Sequence, residues 1–253
     1  MAASRDQAWA RTLPARVARE MVLRGVFGSI VSSYSRCTVS GLEHLERAPG
    51  PVIFVANHSS HVDTPVLLLS LPARRRRRTA VAAAADYFYT RRLLTAAVSL
   101  AFGTVPLERR GHGTEAIHIR RLLDRRWNLV VFAEGTRSRD GRVGRMRSGA
   151  AVLAAEHGLP IVPVYISGTR AAMPIGRPWM VRAADGGRHD ISVTFGAPID
   201  VGLHDDRAAA MALVLAFMRS CGADTTPDPD PDPAADPDPA AAPAPAPAPA
   251  ARL

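Results

Sequence analysis

Short apolar runs alternate with amphipathic segments of helix length along most of the chain. The apolar runs are rich in Val, Ile and Ala and are bounded by Gly, Pro or charged residues, as buried strands are. They are residues 51–56, 79–83, 105–107, 128–132 and 160–166, with weaker candidates at 37–40 and, alternating like an edge strand, 191–195. Apolar positions recur at helical spacing in residues 13–24, 89–101, 115–126, 148–157 and 205–219. Strands that alternate with helices predict an α/β fold, in which helices flank a mostly parallel central sheet.

The N-terminal segment has a different pattern, because an amphipathic helix is followed by a stretch without charge. Arg16 and Arg19 fall on one side of this predicted helix, and Val17 and Met21 on the other. Residues 25–35 carry no charge, but the whole stretch is too short and too interrupted by Gly and Ser to span a bilayer. An interfacial helix with arginines toward lipid head groups and a helix packed on its own domain both fit.

Composition adds an uneven charge. The 253 residues carry a net charge of +9, and every basic residue is Arg. From Gly222 onward there are six Asp and one Arg, so this tail carries −5 and the rest of the chain carries +14. A body this basic attracts nucleic acid, anionic lipid or an acidic carrier protein. The two cysteines provide neither a metal-ligand spacing nor a disulfide framework, and we expect cytosolic chemistry without a metal.

Five consecutive arginines, Arg74 to Arg78, follow Pro72 in a predicted loop. A solvated loop, a contact with anionic lipid and a contact with an acidic acyl carrier are all compatible with this run. No aromatic residue interleaves it and no recognition motif accompanies it, so nucleic acid is not expected as a partner.

The chain divides into three predicted regions. Residues 222–253 consist mainly of Asp-Pro and Ala-Pro repeats, which form neither helix nor ladder, so we expect a disordered, partly polyproline II tail. Residues 36–221 form the α/β domain, and residues 1–35 contain the amphipathic helix.

The candidate chemistry begins at Asn57-His58-Ser59-Ser60-His61-Val62-Asp63, directly after the first strong strand. Asp63 is predicted as the N-cap of a helix that has Pro65 in its first turn. The short loop lets the Asp63 carboxylate reach one ring nitrogen of His58, which leaves the other nitrogen free to take a proton from a hydroxyl. The spacing therefore predicts a catalytic dyad.

Two further strand ends deliver Arg109 and the segment Glu134-Gly135-Thr136-Arg137. Ligands of open α/β sheets gather at the carboxyl ends of strands. Because guanidinium groups bind phosphate bidentately, a His/Asp dyad with two arginines at this edge suits a substrate that carries a hydroxyl and an anionic group.

These blocks together resemble the glycerolipid acyltransferase family, which includes the lysophosphatidic acid acyltransferases. The first family block, Asn-His-x4-Asp, is residues 57–63, and the second is residues 103–109. The third is residues 132–138, where Ala133 replaces the usual Pro, and the fourth is the apolar strand around Pro163. Order and spacing agree across residues 50–170, about half of the chain.

The resemblance implies transfer of a fatty acyl group from acyl-CoA or acyl-carrier protein to the free hydroxyl of 1-acyl-glycerol 3-phosphate, giving phosphatidic acid. His58 would be the general base and Asp63 its partner. Arg109 and Arg137 would hold the phosphate, and Glu134, Gly135 and Thr136 would shape the acceptor site. No metal or cofactor is implied, and the enzyme would be a peripheral protein on the cytoplasmic face of the cell membrane.

Several alternatives stay open on the residues alone. The first alternative is an acyltransferase whose acceptor is another lysophospholipid or a glycolipid. The second is a hydrolase in which the same His activates water, and the third is a non-catalytic lipid-binding protein of the membrane surface. Glu134 equally suits an anchor between loops, and Arg110 competes with Arg109 for the phosphate.

Overall fold

A seven-stranded sheet forms the centre of the molecule. A computed structural model describes residues 7–84, 92–107, 114–203 and 206–226. The strands are β1 Ser35–Ser40, β2 Ile53–Ala56, β3 Thr79–Ala84, β4 Thr104–Leu107, β5 Asn128–Phe132, β6 Ile161–Ser167 and β7 His189–Phe195. Their order across the sheet is β1-β7-β6-β2-β5-β3-β4.

Five of these strands, β6-β2-β5-β3-β4, are mutually parallel, and β7 pairs with β6 in the antiparallel direction. β1 is parallel to β7 and ends the sheet on that side. The predicted α/β fold with a mostly parallel sheet is therefore confirmed. The prediction that residues 191–195 form an edge strand is wrong, since β1 covers β7, and the alternation of β7 reflects one buried and one partly exposed face.

Helices cover both faces of the sheet. They are α1 Leu13–Met21, α2 Gly28–Tyr34, α3 Glu43–Glu46, α4 Asp63–Ser70, α5 Ala73–Arg76, α6 Arg92–Phe102, α7 Thr114–Asp124, α8 Gly149–His157, α9 Thr169–Ala172 and α10 Arg207–Ser220. A 3-10 turn, Ala8–Arg11, precedes α1, and a π-helical segment, Val22–Phe27, joins α1 to α2.

The strands read as continuous apolar runs because both of their faces are buried. In β2, Ile53 and Val55 belong to a core cluster with α7, α8 and α10, whereas Phe54 and Ala56 belong to a second cluster with α4 and the N-terminal helix. All four residues are fully buried. The result is a sheet between two helical layers.

The helix from Leu13 to Tyr34, which we call the N-terminal helix, packs with its polar side against the domain. Arg19 is buried and donates to the carbonyls of Ala10 (3.0 Å) and Thr79 (3.2 Å). Burial, followed by the positive charges of the neighbouring Arg16 and Arg11, lowers the pKa of Arg19 to about 10. Of the two arrangements left open for these arginines, the structure shows the one in which they pack on the protein, since Nε of Arg16 likewise donates to the Arg77 carbonyl (2.8 Å).

The apolar side of the same helix faces outward. Leu13, Val17 and Met21, spaced one turn apart, are 69%, 53% and 65% exposed, and Trp9 and Val26 extend this outward apolar stripe at its two ends. No helix in the described part of the chain is long and apolar enough to cross a membrane.

The arginine run is a turn of helix and not a loop. Arg75 donates to the carbonyls of Leu45, Ala48 and Gly50, and the Arg76 guanidinium forms two hydrogen bonds with the Glu20 carboxylate of α1. Arg75 and Arg76 therefore have partners within the protein, whereas the other three arginines of the run are exposed. The prediction of a solvated loop is wrong for Arg75 and Arg76.

Two regions named in the sequence analysis lie partly or wholly outside the described residues. Arg109 and Arg110 follow the last described residue of β4, and the predicted disorder of residues 227–253 stays a prediction. The first residues of the predicted tail are described. Arg142 forms an ion pair with Asp224 (3.0 Å), and the Thr226 N–H donates to the carbonyl of Val143.

Replacing Arg76 tests whether the arginine run anchors the N-terminal helix. Arg76→Ala leaves the Glu20 carboxylate largely buried without its partner, since only 13% of the Glu20 side chain is exposed. We expect the free energy of unfolding to fall by about 3 kcal/mol. The matched change in the same run, Arg74→Ala, removes an exposed side chain and should cost less than about 0.5 kcal/mol. Urea unfolding measures both, and equal effects would contradict an anchoring role.

Candidate active site

The carboxyl ends of β2 and β5 are neighbours in the sheet, and each delivers one of the predicted motif segments. β2 ends at Ala56, directly before Asn57 and His58, and β5 ends at Phe132, directly before Ala133 and Glu134. Parallel register therefore brings residues that are far apart in sequence to one edge of the sheet.

His58 and Asp63 form the predicted pair. The Nδ1 atom of His58 lies 2.9 Å from Oδ2 of Asp63. The imidazole stacks on the Phe132 ring, with centroids 4.2 Å apart and 24° between the planes. With Nδ1 bound to the carboxylate, Nε2 is the nitrogen available to a substrate hydroxyl.

Asp63 is fully buried, and backbone groups of its own loop bind its carboxylate. Oδ2 accepts hydrogen bonds from the N–H groups of Ser59 (2.7 Å) and Ser60 (2.8 Å) as well as from His58. The predicted N-cap role is wrong. Val62 is the N-cap and Asp63 is the first residue of α4, because its side chain turns back to the preceding loop.

Asn57, the residue before His58, binds the backbone of the neighbouring strand β6. Its side chain donates from Nδ2 to the Ile166 carbonyl (2.9 Å) and accepts at Oδ1 from the Ile166 N–H (2.8 Å). The amide therefore replaces the ladder of backbone bonds between β2 and β6 at the point where the chain leaves β2.

Glu134 joins the two motif loops. One carboxylate oxygen accepts from the His58 N–H (2.7 Å) and the other from the Gly144 N–H (2.9 Å), and the Ser138 N–H donates to the His58 carbonyl (2.8 Å). Burial raises the pKa of Glu134, against the lowering effect of these two backbone donors. Both oxygens bind backbone, so the geometry favours an anchor over a group that contacts substrate.

Gly135 stands where a side chain does not fit. Its φ of +73° is a left-handed conformation, and a Cβ atom would lie 3.1 Å from Nε of Arg147. The Arg147 side chain thus lies against the turn, and its backbone N–H donates to the Ala133 carbonyl (3.0 Å).

A cavity of about 590 Å³ opens beside His58. Four predicted site residues line it, namely His58, Gly135, Thr136 and Arg137, whereas Asp63 and Glu134 are buried behind them. Its remaining wall is mainly apolar and comes from the N-terminal helix (Phe27, Ile30, Val31), from α6 (Val98, Phe102) and from the segment after α9 (Met173, Ile175, Trp179).

The charge at the cavity is positive. Arg137 and Arg139 line it, and His61 lies beside them with its pKa lowered first by burial and then by Arg137 and His58. Leu107, the last described residue of β4, also lines it. Among the described residues, no group of three or more His, Cys, Asp or Glu is arranged to hold a metal ion.

Sequence reasoning missed several parts of the site. Nothing in a single sequence indicated that Phe132 stacks on His58, or that the segment from Met173 to Met180 forms one wall of the cavity. For the N-terminal helix the sequence did contain an indication of its role in the cavity. The stretch 25–35 carries no charge, and it supplies the cavity residues Phe27, Ile30 and Val31.

Comparisons with known proteins indicate the family and the fold. A family model described as acyltransferase matches residues 36–167, just over half of the chain. A chloroplastic 1-acyl-sn-glycerol-3-phosphate acyltransferase of Brassica napus is 30% identical over 155 residues, which are 60% of this chain and 43% of the relative. Another from Arabidopsis thaliana is 32% identical over 146 residues, 56% of this chain and 39% of the relative. The chain thus spans about two fifths of the length of these curated relatives.

A solved structure shares the fold. The crystal structure of the 1-acyl-sn-glycerophosphate acyltransferase PlsC from Thermotoga maritima matches with a TM-score of 0.61 and 23% sequence identity. The match covers 89% of this chain and 86% of that one, so it extends over both helical layers and the sheet.

Changing Glu134 to Gln tests its role as an anchor. The Gln side chain has nearly the same shape, but its NH₂ group would face one of the two backbone donors. We expect the free energy of unfolding to fall by about 2 kcal/mol, because one buried N–H loses its acceptor. Asp140→Asn, an exposed carboxylate of the same loop, is the control and should cost less than about 0.5 kcal/mol. A Glu134→Gln protein as stable as wild type in urea would exclude the anchor.

Proposed function

This chain belongs to the acyltransferase family, and we propose that it transfers a fatty acyl group from a thioester to the free hydroxyl of 1-acyl-glycerol 3-phosphate, giving phosphatidic acid. The carrying observation is the His58–Asp63 pair at a mainly apolar cavity that Arg137 also lines. This acceptor requires a base for its hydroxyl, a cation for its phosphate and an apolar space for its acyl chain. The names of the plant relatives support the same acceptor.

In the proposed mechanism, Nε2 of His58 takes the proton of the acceptor hydroxyl as its oxygen attacks the thioester carbonyl. The buried Asp63 carboxylate, 2.9 Å from Nδ1, stabilises the imidazolium that forms. When the tetrahedral intermediate collapses, the C–S bond breaks and the thiolate takes that proton. The acyl group passes directly to the acceptor, so the reaction needs neither an acyl-enzyme nor a bound metal or cofactor.

We assign the phosphate to Arg137, with Arg109 as a second ligand. Arg137 lines the cavity on the loop that Glu134 holds against His58. A guanidinium in this position binds phosphate through two N–H groups and orients the hydroxyl toward the base. Gly135 and Thr136, which line the same wall, shape the acceptor site.

The acyl donor is acyl-CoA or acyl-carrier protein, and the reaction takes place at a lipid surface. The outward apolar stripe of the N-terminal helix supports a peripheral membrane protein, because these side chains gain by leaving water for the acyl region of a bilayer. We propose the cytoplasmic face of the cell membrane as the location. The positive charge of the body adds attraction to anionic lipid.

Replacement of His58 by Ala tests the reaction and the base together. We expect the full chain, given labelled oleoyl-CoA and lysophosphatidic acid in anionic vesicles, to form phosphatidic acid. His58→Ala should lower the rate about 10³-fold, since positioned general bases contribute about 10²–10⁴, and should leave vesicle binding unchanged. His61→Ala, the neighbouring imidazole, is the matched control with a much smaller loss. Free fatty acid as the sole product would favour a hydrolase, and vesicle binding without product from wild type would favour a lipid-binding protein.

Replacement of Arg137 tests the phosphate contact. Arg137→Ala should raise KM for lysophosphatidic acid about 10- to 100-fold, because a charge-assisted hydrogen bond contributes about 1.5–3 kcal/mol. KM for the uncharged acceptor monoacylglycerol should stay nearly unchanged. Arg142→Ala removes an exposed arginine that pairs with Asp224 outside the cavity and serves as the control. An equal rise of KM for both acceptors would assign Arg137 to loop structure instead.

A further inference from the structure

The segment from Met173 to Arg182, which connects α9 to β7, exposes two large apolar side chains at the cavity. Ile175 is 41% and Trp179 54% exposed, and both also line the cavity beside His58. Exposed aromatic and aliphatic residues at the rim of a ligand cavity indicate an interaction surface.

Two exposed arginines, Arg177 and Arg182, alternate with these apolar residues. Tryptophan prefers the boundary between hydrocarbon and head groups, and arginine pairs with lipid phosphate at the same depth. The composition of the segment therefore fits a lipid surface better than a purely apolar or purely acidic partner.

The segment lies next to the end of the N-terminal helix. The Arg182 guanidinium is 5.6 Å from the centre of the Tyr34 ring, and Arg188 donates to the Ser32 carbonyl (3.3 Å). Phe27 and Ile30 of the same helix line the cavity together with Trp179. Apolar residues of two neighbouring elements, the helix and this segment, therefore border the cavity.

We propose that the segment Met173–Arg182 is a second membrane contact, which inserts Ile175 and Trp179 into the lipid and pairs Arg177 and Arg182 with phosphate groups. The cavity mouth is then held against the bilayer from both sides, and an acyl chain passes from lipid into the cavity without crossing water. This inference rests on the proposed function, in which the acceptor is a membrane lipid.

The start of the segment is also hydrogen-bonded to the loop that carries His58. Ser60 donates from its hydroxyl to the Met173 carbonyl (2.9 Å), and the hydroxyls of Ser59 and Thr169 lie 3.1 Å apart. The residue at the start of the segment, Met173, is therefore hydrogen-bonded to the loop that carries His58.

Tryptophan fluorescence of the full chain tests this contact, because the protein has three tryptophans. Trp9→Phe with Trp127→Phe leaves Trp179 as the reporter, and Trp127→Phe with Trp179→Phe leaves Trp9 on the outward stripe. Phosphatidylglycerol vesicles that contain brominated phosphatidylcholine should shift the emission of Trp179 to the blue and quench it. Quenching of Trp9 without quenching of Trp179 would overturn the second contact.

The other outcomes of this experiment distinguish a membrane contact from a protein partner. No quenching of either reporter would overturn this contact and the proposed membrane surface together, and a shift caused by acyl-carrier protein but not by vesicles would assign the segment to a protein partner. Quenching of Trp179 that persists in the His58→Ala background supports the contact even if the proposed reaction fails.

Vesicle partitioning gives a second readout. Trp179→Ser should weaken binding to phosphatidylglycerol vesicles about tenfold, because the half-exposed ring no longer enters lipid. Leu213→Ser, which removes an exposed leucine of α10, is the matched control and should leave partitioning unchanged. Equal partitioning of Trp179→Ser and wild type would contradict the inference.

Discussion

The bond between the Glu134 carboxylate and the His58 backbone N–H fixes His58, the proposed base, relative to the loop that carries Arg137. Both residues lie just after the carboxyl ends of two neighbouring parallel strands. There the backbone N–H groups no longer have hydrogen-bond partners in the sheet. A buried carboxylate satisfies one donor from each loop, and the Asp63 carboxylate does the same within the His58 loop. The position of His58 relative to Arg137 is thus set by the Glu134 and Asp63 carboxylates and by the register of β2 and β5.

The N-terminal helix reverses the usual arrangement of an amphipathic helix. Arg16 and Arg19 bind backbone carbonyls and Glu20 pairs with Arg76, so much of the polar side is satisfied inside the protein. The apolar side is then largely exposed at Leu13, Val17 and Met21. Because the same helix continues into the cavity wall at Phe27, the exposed apolar stripe and part of the apolar cavity wall belong to one element.

Much of the fold was predictable, because periodicity and burial are local properties of the chain. Continuous apolar runs identified the buried parallel strands, and helical spacing identified the helices between them. Predictions failed where a distant residue decides. β7 is covered by β1, and Arg75 and Arg76 bind groups of α1 and of residues 45–50 that no local pattern reveals.

The sequence by itself determined the chemical groups of the site, since His58 and Asp63 are joined by one short loop whose length sets their approach. Tertiary structure alone decided what surrounds them. It turned Glu134 into an anchor, stacked Phe132 on the imidazole and brought Trp179, which follows β6 and α9 in the chain, to the cavity. The physical reason is that these contacts join segments far apart in the chain, so they depend on strand order and register, whereas the dyad depends on its own few residues.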